Sequence, residues 1–292
     1  MNMTVDKSKF EWGKRTYIMG IINTTLDSFS GDGLMAQGSD WVAAAVAHGV
    51  RQEKDGANIL DVGGESTRPG SDLVSLDEEL NRVIPVIEGL VREVSIPISI
   101  DTYKSEVARQ AIRAGASMVN DVWALKMDSE MAGAVAEHKV PIILMHNRST
   151  PKNAEMKKGL GSRYIGVEYK DLMQDIKNEL EESIDMALKA GVKREHIIVD
   201  PGIGFGKTVE QNLELIYHLN ELKTLGLPIL AGPSRKSFIG YTLDLPPEER
   251  LEGTAAAVTL CIERGADIIR VHDVLSMRRV AKLTDAIVRR QS

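Results

Sequence analysis

The stretch YIMGIIN, residues 17–23, is the first of eight short apolar runs that decide the fold of this chain. Runs of this kind, rich in Ile and Val and followed by polar residues, are typical of strands buried on both faces. The other seven runs are NILDVGG (58–64), PISID (97–101), SMVND (117–121), PIILMH (141–146), HIIVDPG (196–202), PILAGPSRK (228–236) and DIIRVH (267–272).

The segments between these runs are long enough for one helix each. Residues 40–55 begin with Asp40, a residue type that favours a helix N-cap, and Pro85 is the weakest point of the next helix. Helices are predicted at 40–55, 76–94, 104–114, 129–139, 168–190, 208–225, 249–264 and 273–290. Strands alternating with helices predict the α/β class and a single (β/α)8 TIM barrel over 1–292, with an N-terminal extension at 1–15.

Composition argues against several classes of protein. The chain has 292 residues, a net charge of −6 and only 4% aromatic residues, so we expect no nucleic-acid binding. Its N-terminal residues lack the apolar segment of an export signal, so we expect no signal peptide. No apolar run is as long as about 18 residues, so we expect no membrane-spanning helix. With Cys261 as the single cysteine, no intramolecular disulfide is possible, and we expect a cytoplasmic protein with no membrane partner.

Polar residues stand at the carboxyl ends of the predicted strands, where barrels of this class build their active sites. They are Asn23, Asp61, Asp101, Asn120, Asp121, His146, Asp200, Lys236, Arg270 and His272. Asp101 and Asp200 could each cap the following helix instead. Two acids at matched strand ends with Asn120 between them suit a ligand that offers an edge of N–H donors, such as a heterocycle.

Cations cluster at the ends of the last two strands. Arg270 and His272 are two residues apart and should share a face, which favours phosphate binding, although a surface ion pair is the alternative. SRKS at 234–237 follows the seventh strand, where barrels often bind phosphate, although a basic turn would give the same sequence. Asn23 is a plausible Mg²⁺ ligand beside such a site, because Mg²⁺ takes oxygen ligands and keeps several waters.

The glycine-rich segment GIGFGKT at 202–208 fits neither a P-loop nor a dinucleotide-binding motif. It predicts a tight turn leading into the helix at 208–225, with Phe205 near the pocket. The polar segment 148–164 is expected to be a solvated loop. Met145 at the end of the fifth strand is expected to pack in the core unless a flat ring lies against it.

Seven motifs spread over the chain resemble the dihydropteroate synthase family of pterin-binding TIM barrels. They are INTTLDSFS (22–30), DVGGESTRPG (61–70), SIDT (99–102), VNDV (119–122), DPGIGFGKT (200–208), GPSRKSFIG (232–240) and RVHDV (270–274). Leu26 stands where the family usually has proline, and Gly31-Asp32 reverses the usual Asp-Gly order.

The resemblance implies a transferase of folate biosynthesis, a sulfonamide target and a homodimer. It would join 6-hydroxymethyl-7,8-dihydropterin diphosphate to 4-aminobenzoate and release diphosphate, with Mg²⁺ as cofactor. The roles implied are pterin binding by Asp101, Asn120, Asp200, Lys236, Met145 and Phe205; diphosphate binding by Arg68, Arg270, His272 and the metal ligand Asn23; and aminobenzoate binding by Thr67, Pro69, Ser237 and Phe29. The catalytic residues implied are Lys236, Arg270, His272 and Asp32.

Two other functions would share parts of this pattern. A pterin-dependent methyltransferase would use the same acids, but it has no diphosphate to bind with SRKS and R-V-H. A catalytically silent barrel acting as a scaffold would not need the nearly complete set of polar rim residues.

Overall fold

Eight parallel strands form the centre of the protein in the structure, a computed structural model that describes residues 2–5, 8–24, 40–66, 73–150, 153–157, 159–165 and 167–289. Numbered along the chain, the strands are β1 (Asn2–Val5), β2 (Ser8–Glu11), β3 (Tyr17–Asn23), β4 (Ile59–Gly63), β5 (Ile98–Asp101), β6 (Met118–Asp121), β7 (Ile142–Met145), β8 (Ala154–Lys157), β9 (Gly161–Tyr164), β10 (Ile197–Asp200), β11 (Leu230–Ala231) and β12 (Ile268–Val271).

The parallel strands lie in the order β10, β7, β6, β5, β4, β3, β12 and β11. A parallel bridge between Val199 and Ile229 joins the first strand of this order to the segment that enters the last. The sheet therefore forms a nearly closed barrel, and the predicted (β/α)8 TIM barrel is confirmed.

Helices lie between the barrel strands, close to the ranges predicted. They are α1 (Trp41–Asp55), α2 (Leu76–Glu93), α3 (Ser105–Ala114), α4 (Met131–His138), α5 (Leu172–Lys189), α6 (Val209–Tyr217), α7 (Ser237–Leu243), α8 (Leu251–Glu263) and α9 (Val274–Val288). The helix α2 continues through Pro85. Gly56 and Gly115 end α1 and α3 with φ of 102° and 116°, a conformation that side chains other than glycine rarely adopt.

Three local expectations were wrong, and one helix was not predicted. Asp40 makes no side-chain cap bond to α1. The helix predicted at 208–225 ends at Tyr217 and is followed by a 3₁₀ helix at Leu219–Leu225. The segment expected to be a solvated loop contains the antiparallel hairpin β8–β9, and α7 follows Lys236 without a clear apolar period in its sequence.

Alternation along the strands divides the core into two layers, because successive residues point to opposite faces. In β3, Ile18 and Ile22 pack toward the helices, whereas Tyr17 and Met19 point into the barrel. The inner layer contains Met19, Ile59, Met118, Ile143, Ile198, Leu230 and Ile268.

The hairpin β1–β2 covers this inner layer. Its residues Met3, Val5 and Phe10 are buried against the inward-pointing barrel residues. The Phe10 ring lies 4.8 Å from the Tyr17 ring, centroid to centroid. The segment predicted as an extension at 1–15 therefore contributes to the core of the barrel.

Within the described ranges, no helix has the length and apolar character needed to cross a bilayer.

Candidate active site

Two acids, an amide and an arginine meet at the carboxyl ends of the barrel strands. Arg270 in β12 donates from Nε to Asp61 Oδ2 at 2.6 Å and from Nη2 to Asp101 Oδ2 at 2.7 Å. Asn120 Nδ2 donates to Asp61 Oδ2 at 2.9 Å. Asp101 and Asn120 are register partners on β5 and β6, so their side chains lie next to each other.

This cluster has more acceptors than donors. The buried atoms Asp61 Oδ1 and Asn120 Oδ1 have no hydrogen-bond partner among the described residues. Buried polar atoms are normally paired, so these two acceptors suit a ligand with N–H donors. Burial raises the pKa of Asp101 to about 7, and the nearby charges of Asp61 and Glu79 add to the effect against the opposing charge of Arg270.

Asp200 lies at the end of β10 on the other side of the barrel mouth. Its Oδ1 accepts a hydrogen bond of 2.7 Å from the backbone N–H of Gly202. Burial raises the pKa of Asp200 to about 6, opposed by this bond and by the positive charges of Lys236, Lys207 and Arg270. Met145 is its register partner on β7 and is buried, as expected for a packing residue.

Lys236 and Phe205 lie together next to Asp200. The Lys236 ammonium is 3.8 Å from the centroid of the Phe205 ring, a cation–π contact. Lys236 is the N-cap residue of α7, and Ser237 is the first residue of that helix. Phe205 and Lys236 are partly exposed, so a ligand can reach both.

The loops that follow β11 and β12 are joined by side chains. Ser234 Oγ lies 3.0 Å from His272 Nδ1 and accepts a bond of 3.2 Å from the His272 backbone N–H. The next residues pair in the same way, because Arg235 donates to both oxygens of Asp273 at 2.9 and 2.6 Å. These contacts join Ser234 and Arg235 to His272 and Asp273, and the Arg235–Asp273 contact is a partly buried ion pair.

The structure brings most of the predicted residues to one end of the barrel. Asn23 is in the same row of register partners as Gly63, Asp101 and Asn120. Arg270 lies two residues before His272, and Asp61 and Asp101 engage two of its five N–H groups. Phe29, Asp32, Thr67, Arg68 and Pro69 lie outside the described residues.

Two functional candidates received no role from the sequence. Asp61 is fully buried and bonds both Arg270 and Asn120. Its presence among the strand-end residues was the available signal, but its partners are 59 and 209 positions away along the chain. Lys207 was assigned only to a turn, yet its ammonium is buried and hydrogen-bonded.

The side chains available as ligands limit the kind of metal ion that the site could bind. No group of three or more His, Cys, Asp or Glu side chains that could hold a metal occurs within the part of the chain that the structure describes. Asn23 is partly exposed at the rim and offers a neutral amide oxygen. These residues fit an ion such as Mg²⁺ that keeps waters and binds mainly through phosphate oxygens of a ligand.

Comparison with known proteins gives consistent matches over nearly the whole chain. Residues 19–272 match the family model described as pterin binding enzyme. A dihydropteroate synthase of Clostridium beijerinckii is 51% identical over 289 residues, which cover 99% of this chain and 100% of that protein.

Solved structures give the same result. A dihydropteroate synthase from Clostridium difficile, determined in the presence of pteroic acid, has 49% identity and a TM-score of 0.87, covering 96% of this chain and 100% of that one. One from Xanthomonas albilineans with 4-aminobenzoic acid has 41% identity and a TM-score of 0.86, covering 98% of this chain and 97% of that one.

Proposed function

Because the chain belongs to the pterin binding enzyme family, we propose that it is a dihydropteroate synthase. It condenses 6-hydroxymethyl-7,8-dihydropterin diphosphate with 4-aminobenzoate to give 7,8-dihydropteroate and diphosphate. The single observation that carries this proposal is the group of acceptors at the barrel mouth, formed by the buried Asp61, Asn120 and Asp200 and the partly buried Asp101. The match to synthases over nearly the full chain supports the same reaction.

The pterin ring binds between the two acids. Its amino-pyrimidinone edge carries several N–H groups. These donate hydrogen bonds to the carboxylates of Asp101 and Asp200 and to the amide oxygen of Asn120. Each hydrogen bond to a charged group contributes about 1.5–3 kcal/mol. Phe205 and Met145 pack near the ring, and Lys236 donates to an acceptor on it.

The diphosphate binds toward the last two strands. His272 and Arg270, with Arg68, neutralise its charge as the bond to carbon breaks. Asn23 would hold Mg²⁺ at the diphosphate, and when bound, the ion supplies positive charge that stabilises the leaving group. The aminobenzoate site is formed by Thr67, Pro69, Ser237 and Phe29. Asp32 takes part in catalysis beside that site.

The reaction needs no nucleophile from the protein. The bond between the exocyclic carbon and the diphosphate oxygen breaks, and its electron pair leaves with the diphosphate. The pterin ring delocalises the positive charge, and the ionised acids around it favour that charge. The aminobenzoate nitrogen then forms the new bond with its lone pair, and the proton that it loses passes to water. Orientation of the two substrates and electrostatic stabilisation account for the rate.

The protein also forms a homodimer in this proposal, through α8 and α9. Leu260 on α8 and Leu283 and Ile287 on α9 are large apolar side chains that are at least half exposed. The two helices pack against each other, so their exposed residues can form one surface.

The protein acts in the cytoplasm in this proposal. A chain with a single cysteine is consistent with that reducing compartment.

Diphosphate release by the purified protein tests the reaction. We expect release from the pterin diphosphate that requires Mg²⁺ and is stimulated by 4-aminobenzoate. A sulfonamide should inhibit it in competition with 4-aminobenzoate, because the two molecules share the aminophenyl group. The synthase assignment would be wrong if 4-aminobenzoate did not stimulate the release of diphosphate. It would also be wrong if no diphosphate were released in the presence of both substrates and Mg²⁺.

A further inference from the structure

Lys207 is a buried lysine that none of the steps above uses. Its side chain is 1% exposed, and its ammonium lies 3.0 Å from each of three acceptors. These are the carbonyl oxygens of Gly202 and Phe205 and the Nδ1 atom of His146. With the His146 ring in the Nε2–H tautomer, in which Nδ1 accepts, three N–H donors meet three acceptors, as a buried ammonium group requires.

The bonds of Lys207 hold together the turn that the sequence GIGFGKT forms. Two of its acceptors belong to the turn itself, and the third, His146, follows β7 on the neighbouring side. A Cβ atom at Gly202 would lie 1.9 Å from the His146 carbonyl oxygen, so the turn packs tightly on that residue. Asn212 fixes the opposite side, because it accepts a bond of 2.6 Å from the Gly204 N–H.

The same turn contacts three groups of the proposed pterin site. The Gly202 N–H bonds Asp200, and the Phe205 ring lies beneath the Lys236 ammonium. Gly204 lies so close to Lys236 that an added Cβ would be 2.8 Å from its Cδ atom. A change in the shape of the turn would therefore move Phe205 and Lys236 and remove a bond from Asp200.

We infer that Lys207 is a positioning residue for pterin binding, which acts by fixing the turn that places Asp200, Phe205 and Lys236. The inference rests on the proposed function, since it assigns this turn to the pterin site. Lys207 contributes no contact to the substrate in this account.

The surrounding charges make the bond pattern sensitive to pH. Burial lowers the pKa of Lys207 to about 7, with Lys236 and Arg148 adding to the effect and Asp200 and Glu179 opposing it. Burial also lowers the pKa of His146 to about 4, so its ring is neutral near pH 7, and its Nε2 lies 3.2 Å from Glu179 Oε2. A neutral amine at Lys207 has two hydrogens for three acceptors, so the turn is held best at the lower end of the neutral range.

The test compares Lys207→Met with a matched core variant, Leu219→Ala. Leu219 is buried in the same β/α unit, but it starts the 3₁₀ helix beyond α6. Calorimetry with the pterin diphosphate, together with KM and kcat, is measured for both variants and for the wild type. We expect Lys207→Met to raise the dissociation constant and the KM for the pterin roughly tenfold or more, as for a lost charge-assisted bond. Leu219→Ala should lower thermal stability while its KM stays within about twofold of the wild-type value.

Equal pterin affinity in wild type and Lys207→Met would overturn the inference, as would an equal change in Leu219→Ala. If Lys207→Met does not fold, Lys207→Gln keeps two N–H donors and should raise the KM in the same direction. Asp200→Asn separates the two proposals. If Asp200→Asn binds the pterin weakly and Lys207→Met binds it normally, only the role of Lys207 is rejected. If the wild type does not bind the pterin diphosphate, both the proposed function and the role of Lys207 are rejected.

Discussion

Asp200 is buried at the end of β10, where its ionised form is unfavourable for the fold but binds the pterin in the proposed function. Its folded-state pKa of about 6 lies above the ordinary 3.8. The native state therefore holds a proton more tightly than the unfolded chain, and stability falls as pH rises from about 4 to about 6. Above that range the full cost of ionisation remains.

Asp200→Asn should therefore stabilise the protein at pH 8 by on the order of 2 kcal/mol and change little at pH 4. The amide oxygen can still accept the bond from the Gly202 N–H, so the turn is kept. Urea unfolding at both pH values measures the difference. Asp185→Asn, an exposed position on α5, is the control and should change the free energy of unfolding by less than about 0.5 kcal/mol. A destabilised Asp200→Asn protein at pH 8 would contradict the account.

The affinity for the pterin should also depend on pH. Asp101 and Asp200, with pKa values of about 7 and about 6, lose their negative charge as pH falls. A protonated carboxyl group accepts fewer bonds, so affinity should fall below about pH 7 and fall more steeply below about pH 6. Calorimetric titrations at pH 5, 6, 7 and 8 measure this. Constant affinity at pH 5, 6 and 7, below the range in which Lys207 loses its proton, would show that neither acid binds the ring in its ionised form.

Asp61 shows what the sequence can and cannot predict at a single residue. The sequence places it among the strand-end polar residues with Asp101, although in the structure it is the third of the five residues of β4. Its partners, Arg270 and Asn120, come together only when β4, β6 and β12 take their places in the barrel. Such contacts depend on tertiary closure and on register, which no local pattern encodes.

At the scale of elements, the segments with a clear apolar pattern were predictable and those without one were not. The barrel strands carry apolar runs, and most of the barrel helices carry a clear amphipathic period, so their positions follow from the sequence. The hairpin β8–β9 is held instead by distant contacts, such as the bond from Arg250 Nη2 to the Leu160 carbonyl oxygen. Gly161 also accepts a bond from the Tyr241 hydroxyl in α7.

The hairpin β1–β2 should contribute to stability and not to binding. Phe10 is 1% exposed and packs against Trp12 and Tyr17 below the barrel. Phe10→Ala should lower the free energy of unfolding by about 3–5 kcal/mol, because it leaves a cavity in the inner core. Thermal or urea unfolding gives this value, and the KM of the folded enzyme should be unchanged. Lys9→Ala in the same strand is the exposed control. A loss below about 1 kcal/mol would mean that the hairpin does not close the barrel.

At the scale of the whole molecule, the exposed apolar residues of α8 and α9 predict a dimer. Leu283 and Ile287 are 66% and 59% exposed. Replacing both with glutamate should convert the protein to a monomer in sedimentation velocity, since burying two charges at an interface is unfavourable. Met186→Glu on α5 should leave the mass unchanged. A wild-type protein that sediments as a monomer at micromolar concentrations would contradict the homodimer.

Binding of the pterin diphosphate by calorimetry tests the central claim most directly. The claim is that acids from β5 and β10 bind the pterin ring while Arg270 of β12 and His272 after it bind its diphosphate. The account predicts one ligand per chain with Mg²⁺ present, weaker binding without Mg²⁺, and at least about tenfold weaker binding in both Asp101→Asn and Asp200→Asn. Wild-type affinity in both variants would contradict it.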